Sequence, residues 1–215
     1  MSQIKSLRDH VCSYINEKIK SGDLKPNEKL NEPQICNDLK ISRTPAREAL
    51  IMLATDHIIE FVPRKGFYVK EVTSDDMLQY YDLMGTLDAF AAKLSMPYID
   101  STDLIKMKEI VANINVAIEF NNLDKYLALQ QEFHDIYIVK SHNTPLTETI
   151  HSLRYRYIPI TYNQKKVNTE KYKDILFRTN DEHRRIIALF EKKDPDSLEH
   201  FIRTVHWATD YIDLL

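Results

Sequence analysis

Apolar residues near the start of the chain, Ile4, Leu7, Val11, Tyr14, Ile15 and Ile19, recur three and four positions apart. That spacing lines one face of a helix, and the pattern stops at Ser21-Gly22. A turn punctuated by Pro26 follows, and Asn31 is placed to cap a short helix over 32–39 with Ile35 and Leu39 facing inward. Ser42 is placed to cap the next helix, which runs through Ala46, Leu50 and Leu53 to about Thr55. Pro45 fits there because first-turn N–H groups have no intrahelical partner to lose. Beyond it the period changes. Ile58–Val62 and Phe67–Val72 are β-branched and aromatic runs, separated by Pro63-Arg64-Lys65-Gly66, which predicts a hairpin with glycine at its tip.

Three helices and a hairpin within residues 1–72 outline a winged helix-turn-helix. The remainder, 73–215, reads as helical almost throughout. Thr73-Ser74-Asp75-Asp76 has the form of a capping box opening a long helix through Met77, Tyr80, Tyr81, Leu83, Leu87 and Phe90. Amphipathic stripes then predict helices over 102–121, 124–141, 145–160, 169–191 and 195–213. Only three glycines occur, which suits a mainly α chain because glycine is a poor helix former.

Composition adds limits. With 43% hydrophobic and 28% charged residues the chain has an ordinary globular balance, which argues against disorder. The net charge of −3 hides an asymmetry: residues 1–72 hold 12 Lys/Arg against 10 Asp/Glu, leaving 17 against 22 for the rest. A mildly basic head on an acidic body fits a nucleic-acid partner for the head, though weakly when taken alone. Cys12 and Cys36 lack metal-ligand spacing and read as buried free thiols. The start resembles no signal peptide and there is no run of 18 apolar residues, so the expectation is a cytoplasmic protein without a membrane partner.

Ser42-Arg43-Thr44-Pro45-Ala46-Arg47 carries the most specific chemistry. Arg43 and Thr44 fall in the first helical turn and Arg47 one turn on, so all three share the exposed end that a recognition helix presents to the major groove. The planar fork of arginine can pair with O6 and N7 of guanine. Arg64 and Lys65, flanking Gly66, put cations where a hairpin tip meets phosphate or the minor groove. Each of these arginines, taken singly, reads more readily as a solvated surface charge; the combination on a helix-turn-helix and wing favours double-stranded operator DNA.

Residues 6–72 resemble the N-terminal domain of the GntR family of bacterial regulators, through Ile19–Pro26, Leu30-Asn31-Glu32, Leu39, Ile41–Leu50 and Gly66–Val69. The resemblance assigns operator contacts to Ser42, Arg43, Thr44, Arg47 and the Arg64-Lys65-Gly66 tip. Asn27, Lys40 and His57 depart from the pattern at turn positions where glycine is common, and are expected to adopt left-handed backbone at modest cost. Glu32 matches a family position, with a structural or capping role equally open.

The helical remainder resembles the FadR-type ligand-binding domain, or FCD domain, of the same family, a bundle of six or seven helices. The stretches that carry it are Tyr81-Asp82-Leu83 to Ala91-Ala92, Phe133-His134, Asn143–Leu146 and Glu182–Ile187. In that family an Asp and three histidines hold a divalent metal, of the zinc or nickel class, that binds a carboxylate effector. Here His134 and His183 match two histidines and Gln130 stands at the Asp position. The last histidine falls at Val205, with His206 one step beyond; the stripe Leu198, Phe201, Ile202, Val205 and Ala208 puts Val205 inward. Two readings stay open. Gln130, His134, His183 and His206 form a shifted, weakened metal site, or the histidines are polar core residues or direct ligand contacts. Met84 stands where the family has arginine and Asp88 where it has Glu, so Arg154 or Arg156 would have to supply positive charge to the effector pocket. Surface salt bridging is the plainer role for both arginines, and Tyr155 and Tyr157 read as packing residues.

The resulting expectation is a ligand-responsive regulator, a homodimeric repressor on a palindromic operator, with an organic acid as effector and residues 73–215 serving effector binding and dimerisation. Two alternatives are a metal-dependent enzyme with a DNA-targeting head and a ligand-free architectural DNA binder. No HExxH, GxSxG, P-loop or Rossmann fingerprint supports the enzyme, and Asp75-Asp76 is better explained by a helix N-terminus.

Overall fold

The computed structural model describes residues 7–161 and 170–208, and the chain divides into two compact units that part between Thr73 and Ser74. In the first, α1 (Leu7–Ser21) buries Val11, Cys12 and Ile15 and ends at Gly22, whose φ of 81° only glycine adopts freely. Asn31 caps α2 (Glu32–Leu39), its side chain accepting from the Gln34 N–H at 3.1 Å. A three-residue turn leads to α3 (Arg43–Thr55), which buries Ala46, Ala49, Leu50 and Leu53 against α1 and α2. Ser42 occupies the N-cap position of α3 in extended backbone, but its side chain makes no cap hydrogen bond, contrary to expectation. Its hydroxyl is left at the exposed end of the helix.

Strands β1 (Ile59–Val62) and β2 (Gly66–Val69) pair antiparallel, with Ile59 opposite Val69 and Val62 opposite Gly66. The segment before α2 adds itself to the outer edge of β2: Leu30 donates to Phe67 and Val69 to Glu28. The tip of the hairpin is the turn Val62–Lys65, closed by the Lys65 N–H on the Val62 carbonyl at 3.0 Å, with Arg64 at φ 66°. Gly66 therefore is not the tip but the first residue of β2. Its φ of 105° accounts for glycine there, since a side chain rarely adopts that backbone.

Asn27, Lys40 and His57 all lie in the left-handed region, at φ 65°, 54° and 59°. A side chain in that region costs roughly 1–2 kcal/mol, against about 0.5–1 kcal/mol of extra chain entropy lost by glycine. Lys40→Gly and His57→Gly should thus each raise stability by up to about 1 kcal/mol, a gain of roughly 2–4 °C in thermal midpoint. A lowered midpoint by circular dichroism would contradict this account of the turns.

The second unit is a bundle of α4 (Ser74–Ser95), α5 (Ser101–Glu119), α6 (Leu123–Lys140), α7 (Thr144–Thr161), α8 (Glu170–Lys192) and α9 (Pro195–Phe201). A 3-10 turn, Met96–Tyr98, links α4 to α5, and Asp100 with Asp103 forms a reciprocal capping box on α5. Asn122 and Asp194 cap α6 and α9. The core gathers Met84, Met107, Ile114, Tyr126, Phe133, Tyr137, Ile138 and Ile186. Along α4 the buried face is Met77, Tyr80, Met84, Asp88 and Ala92, whereas Leu83 and Phe90 are 46% and 43% exposed, so the predicted core stripe is rotated. Among the described residues no helix is long and apolar enough to cross a membrane.

The last predicted helix, 195–213, is broken. After Phe201 the chain forms a π-turn, Ile202–His206, in which the Trp207 N–H reaches back five residues to the Ile202 carbonyl at 3.1 Å; residues 209–213 lie outside those described. One extra residue in the turn changes which side chains face inward. Val205, expected inward, is 37% exposed, and the His206 side chain is buried instead.

Candidate nucleic-acid interface and metal centre

The head presents its polar chemistry on one helix and one turn. Ser42, Arg43, Thr44 and Arg47 are all exposed at the start of α3, held there by the buried Ala46, Ala49 and Leu50 on the opposite face. Arg43 and Arg47 line one groove with Lys29, Asn31, Glu32 and Cys36. Cys36 is accordingly half-exposed rather than buried, because the face of α2 that carries it borders this groove; Cys12 is buried as expected. Glu32 begins α2, where a carboxylate suits the helix N-terminus. Arg64 and Lys65 project from the wing turn, fully accessible.

The second unit gathers three histidines from three helical segments: His134 in α6, His183 in α8 and His206 in the π-turn. One ligand atom from each lies within 4.8 Å of the others, and His134 Nε2 is 3.3 Å from His206 Nε2. The partners of the other ring nitrogens decide what these atoms are. His134 Nδ1 lies 2.9 Å from Asp88 Oδ2, and His206 Nδ1 lies 3.0 Å from Glu182 Oε2. A carboxylate only accepts, so both Nδ1 atoms carry the proton and donate. His183 Nδ1 faces Asn180 Oδ1 at 3.1 Å, and Asn180 is fixed in that sense because its amide nitrogen donates to the Val111 carbonyl and to Asn115 Oδ1. The three Nε2 atoms are thereby turned on one another, and that of His183 is buried with no hydrogen-bond partner among the described residues.

Burial lowers the pKa of His183 well below the usual imidazole range, and lowers that of His134 despite the carboxylate of Asp88. Both rings are therefore neutral, the form that ligates metal. Asp88 is fully buried, which alone would raise its pKa; the His134 ring, the Arg154 guanidinium and the Trp207 N–H outweigh burial and hold it well below the usual carboxylate range. Its Oδ2 also accepts from Tyr137 Oη and Trp207 Nε1, each at 2.8 Å. Burial, then the charge of Asp88, pushes the Tyr137 phenol upward and keeps it a donor.

Neutral Nε2 atoms backed by Nδ1–H donors to carboxylate or amide oxygen are how proteins present histidine to a divalent ion. Tetrahedral coordination at about 2.0–2.1 Å sets ligand nitrogens roughly 3.3–3.4 Å apart, the separation already found between His134 and His206. The residues fit a metal of the zinc class.

Gln130 donates to Tyr126 Oη at 2.5 Å, leaving its Oε1 buried without a partner one turn before His134. Met84 is wholly buried on α4, one turn before Asp88. Arg154, expected to pair at the surface, is buried at 5% exposure because two carboxylates draw it inward. Its Nη1 donates to Asp135 at 2.7 Å and its Nη2 lies 3.8 Å from Asp88 Oδ1. The side chains of Tyr155, Arg156 and Tyr157 lie outside the described residues. Sequence reasoning missed Glu182, Asn180, Tyr137, Asp135 and Trp207 as supports of the site. Glu182 and Asp135 adjoin the histidines, and Trp207, the sole tryptophan, adjoins His206; adjacency was the available signal.

An exposed arginine pair on a recognition helix beside a wing, with a histidine cluster in a helical bundle, defines a class: a winged helix-turn-helix regulator with a helical sensor domain. Residues 7–69 match the bacterial regulatory proteins of the gntR family, and residues 79–205 match the FCD domain. The chain belongs to the GntR family of DNA-binding transcriptional regulators, in its FCD subfamily.

It is 26% identical over 194 residues to the HTH-type transcriptional regulator YdhC of Bacillus subtilis, covering 88% of this chain and 83% of that one. It is 28% identical over 198 residues to the gluconate operon transcriptional repressor of the same organism, covering 86% and 75%. The solved structure of Escherichia coli McbR/YncC superposes with a TM-score of 0.75 at 21% identity, covering 97% of both chains. Families and relatives alike are transcriptional regulators rather than enzymes.

Proposed function

We propose that the protein is a homodimeric repressor that binds a palindromic operator and releases or re-seats it in response to a small anionic effector taken up at a metal-loaded sensor. In this reading residues 1–72 are the DNA-binding domain and 73–215 the effector-binding and dimerisation domain, acting in the cytoplasm. The observation that carries the sensor is the convergence of one ligand nitrogen from each of three histidines within 4.8 Å, that of His183 buried with no hydrogen-bond partner among the described residues. A dipositive ion would satisfy all three nitrogens at once, including the unpartnered one of His183.

His134, His183 and His206 are the ligands in this assignment, with Gln130 Oε1, buried and unpartnered, as candidate fourth donor. Bound there, a zinc- or nickel-class ion supplies a Lewis-acid position for an effector oxygen. Asp88, Glu182 and Asn180 fix the ring tautomers, and Arg154 holds Asp88 and Asp135 in place rather than standing free for the effector.

In the head, Arg43 and Arg47 are assigned to base edges, Ser42 and Thr44 to the groove wall, and the Arg64-Lys65-Gly66 segment to backbone phosphates. Similarity to gluconate operon repressors favours repression. Leu83 and Phe90, exposed two turns apart on α4, supply apolar surface suited to a two-fold interface. Sedimentation should give twice the chain mass of 25.3 kDa. Footprinting of its operator should protect two inverted half-sites about one helical turn apart. A monomer protecting a single half-site would overturn the dimeric reading.

A further inference from the structure

The three histidines are not held alike. His134 and His183 sit within the regular helices α6 and α8, whereas His206 reaches the cluster only through the π-turn Ile202–His206. Continued as an α-helix from Phe201, the chain would turn Val205 inward and carry His206 about 100° away. The π register leaves the valine side chain 37% exposed and accepts a rare backbone form. It is held by contacts that depend on one another. His206 donates to Glu182, Trp207 Nε1 donates to Asp88, and the Trp207 ring packs on Tyr80 and Tyr81. The close seat of Trp207 requires Gly85, since a Cβ there would come 2.8 Å from Trp207 Cβ and 3.4 Å from the Arg203 carbonyl.

We propose that this π-turn is a metal-operated register switch, an inference that rests on the three-histidine metal reading. With the ion bound, the π register holds His206 on the site. With it withdrawn, nothing offsets the rare backbone form and the exposed Val205 side chain, and the turn relaxes toward an α-helix that buries Val205. That relaxation lifts His206 off the cluster and withdraws Trp207 from Asp88 and from Gly85. Both lie on α4, the helix that begins at Ser74, directly after the head in the chain. Metal binding shifts the equilibrium by its differential affinity for the two registers, and α4 receives the change. The switch thus gives the sensor two fixed ligands and one movable one.

Trp207 is the only tryptophan, so its emission reads the register directly. Chelator-treated full-length protein is titrated with Zn²⁺, which does not itself quench, while calorimetry records binding in parallel. The expected result is an emission shift that follows the binding isotherm, with amide exchange at residues 202–207 slowed at least tenfold. Deleting Thr204, an exposed residue of the turn, removes the extra residue and brings His206 to the inward α-helical position. That variant should bind Zn²⁺ within tenfold of the parent and show less than a third of its emission shift.

Binding to the parent chain without an emission or exchange change overturns the switch and leaves the metal site standing. An undiminished shift in the deletion variant also overturns it. No Zn²⁺ binding by the parent overturns both. Should the deletion variant fail to fold, Gly85→Ala serves instead: it blocks the seat of Trp207 without touching a ligand and should weaken Zn²⁺ binding at least tenfold. Unchanged affinity in that variant counts against the switch.

Discussion

Alanine at both Arg43 and Arg47 is expected to abolish specific operator binding while leaving the fold intact. Each bidentate arginine–guanine pair contributes about 1–3 kcal/mol of discrimination, and in the proposed dimer the loss doubles because each head carries the same pair. The sum is comparable to the roughly 4–10 kcal/mol that separates specific from non-specific affinity for DNA-binding proteins. The double variant should therefore bind operator and random DNA alike, with a residual affinity that falls steeply with salt. Both side chains are exposed, and among the described residues no hydrogen bond or ion pair of theirs supports the core formed by Ala46, Ala49 and Leu50. Circular dichroism and thermal midpoint should accordingly match the parent. Fluorescence anisotropy at fixed salt is the measurement, and operator affinity kept within threefold would contradict the assigned interface.

Removing metal is the second large effect. An ion bound only by the folded state adds about 2.7 kcal/mol at a hundredfold excess over its dissociation constant. For a chain of this size that is a rise of roughly 5–10 °C in thermal midpoint. His183→Ala removes a ligand whose Nε2 has no protein partner, so no hydrogen bond at that atom is lost with it. The variant should fold, and the midpoint should no longer respond to Zn²⁺ or to chelator. A full Zn²⁺ response in His183→Ala would remove this residue from the site.

What the sequence made legible follows from how local each signal is. The helix-turn-helix and wing are local: caps, apolar spacing and turn residues sit within a few positions of one another. Even the three left-handed turns at Asn27, Lys40 and His57 could be expected, because backbone geometry at a turn leaves few alternatives. His134 and His183 were legible through the resemblance to the FCD domain, where Phe133-His134 and Glu182-His183 match two of its histidine positions.

His206 entered the site in only one of the two readings left open, because the helical register puts Val205 inward. A helical wheel assumes 100° per residue, and the π-turn breaks that assumption one residue before it matters, placing Val205 outward. Leu83 and Phe90 misled differently: apolar spacing identifies a face that avoids water but does not distinguish a core from a surface awaiting a partner. Arg154 stood open between a charge for the effector pocket and a surface salt bridge, and Asp88 and Asp135, distant in sequence, make its burial favourable. In each case the deciding contact is tertiary, and no local pattern carries it.

The sensor assignment is the centre of the account, and metal content tests it most directly. Protein produced without a histidine tag, dialysed against Zn²⁺ and then against metal-free buffer, should retain about one ion per chain by elemental analysis. His134→Ala and His183→Ala should each fall to a small fraction of that. A folded parent chain that retains no metal, and acquires none from zinc or nickel, would contradict the site and leave the three histidines as polar core residues.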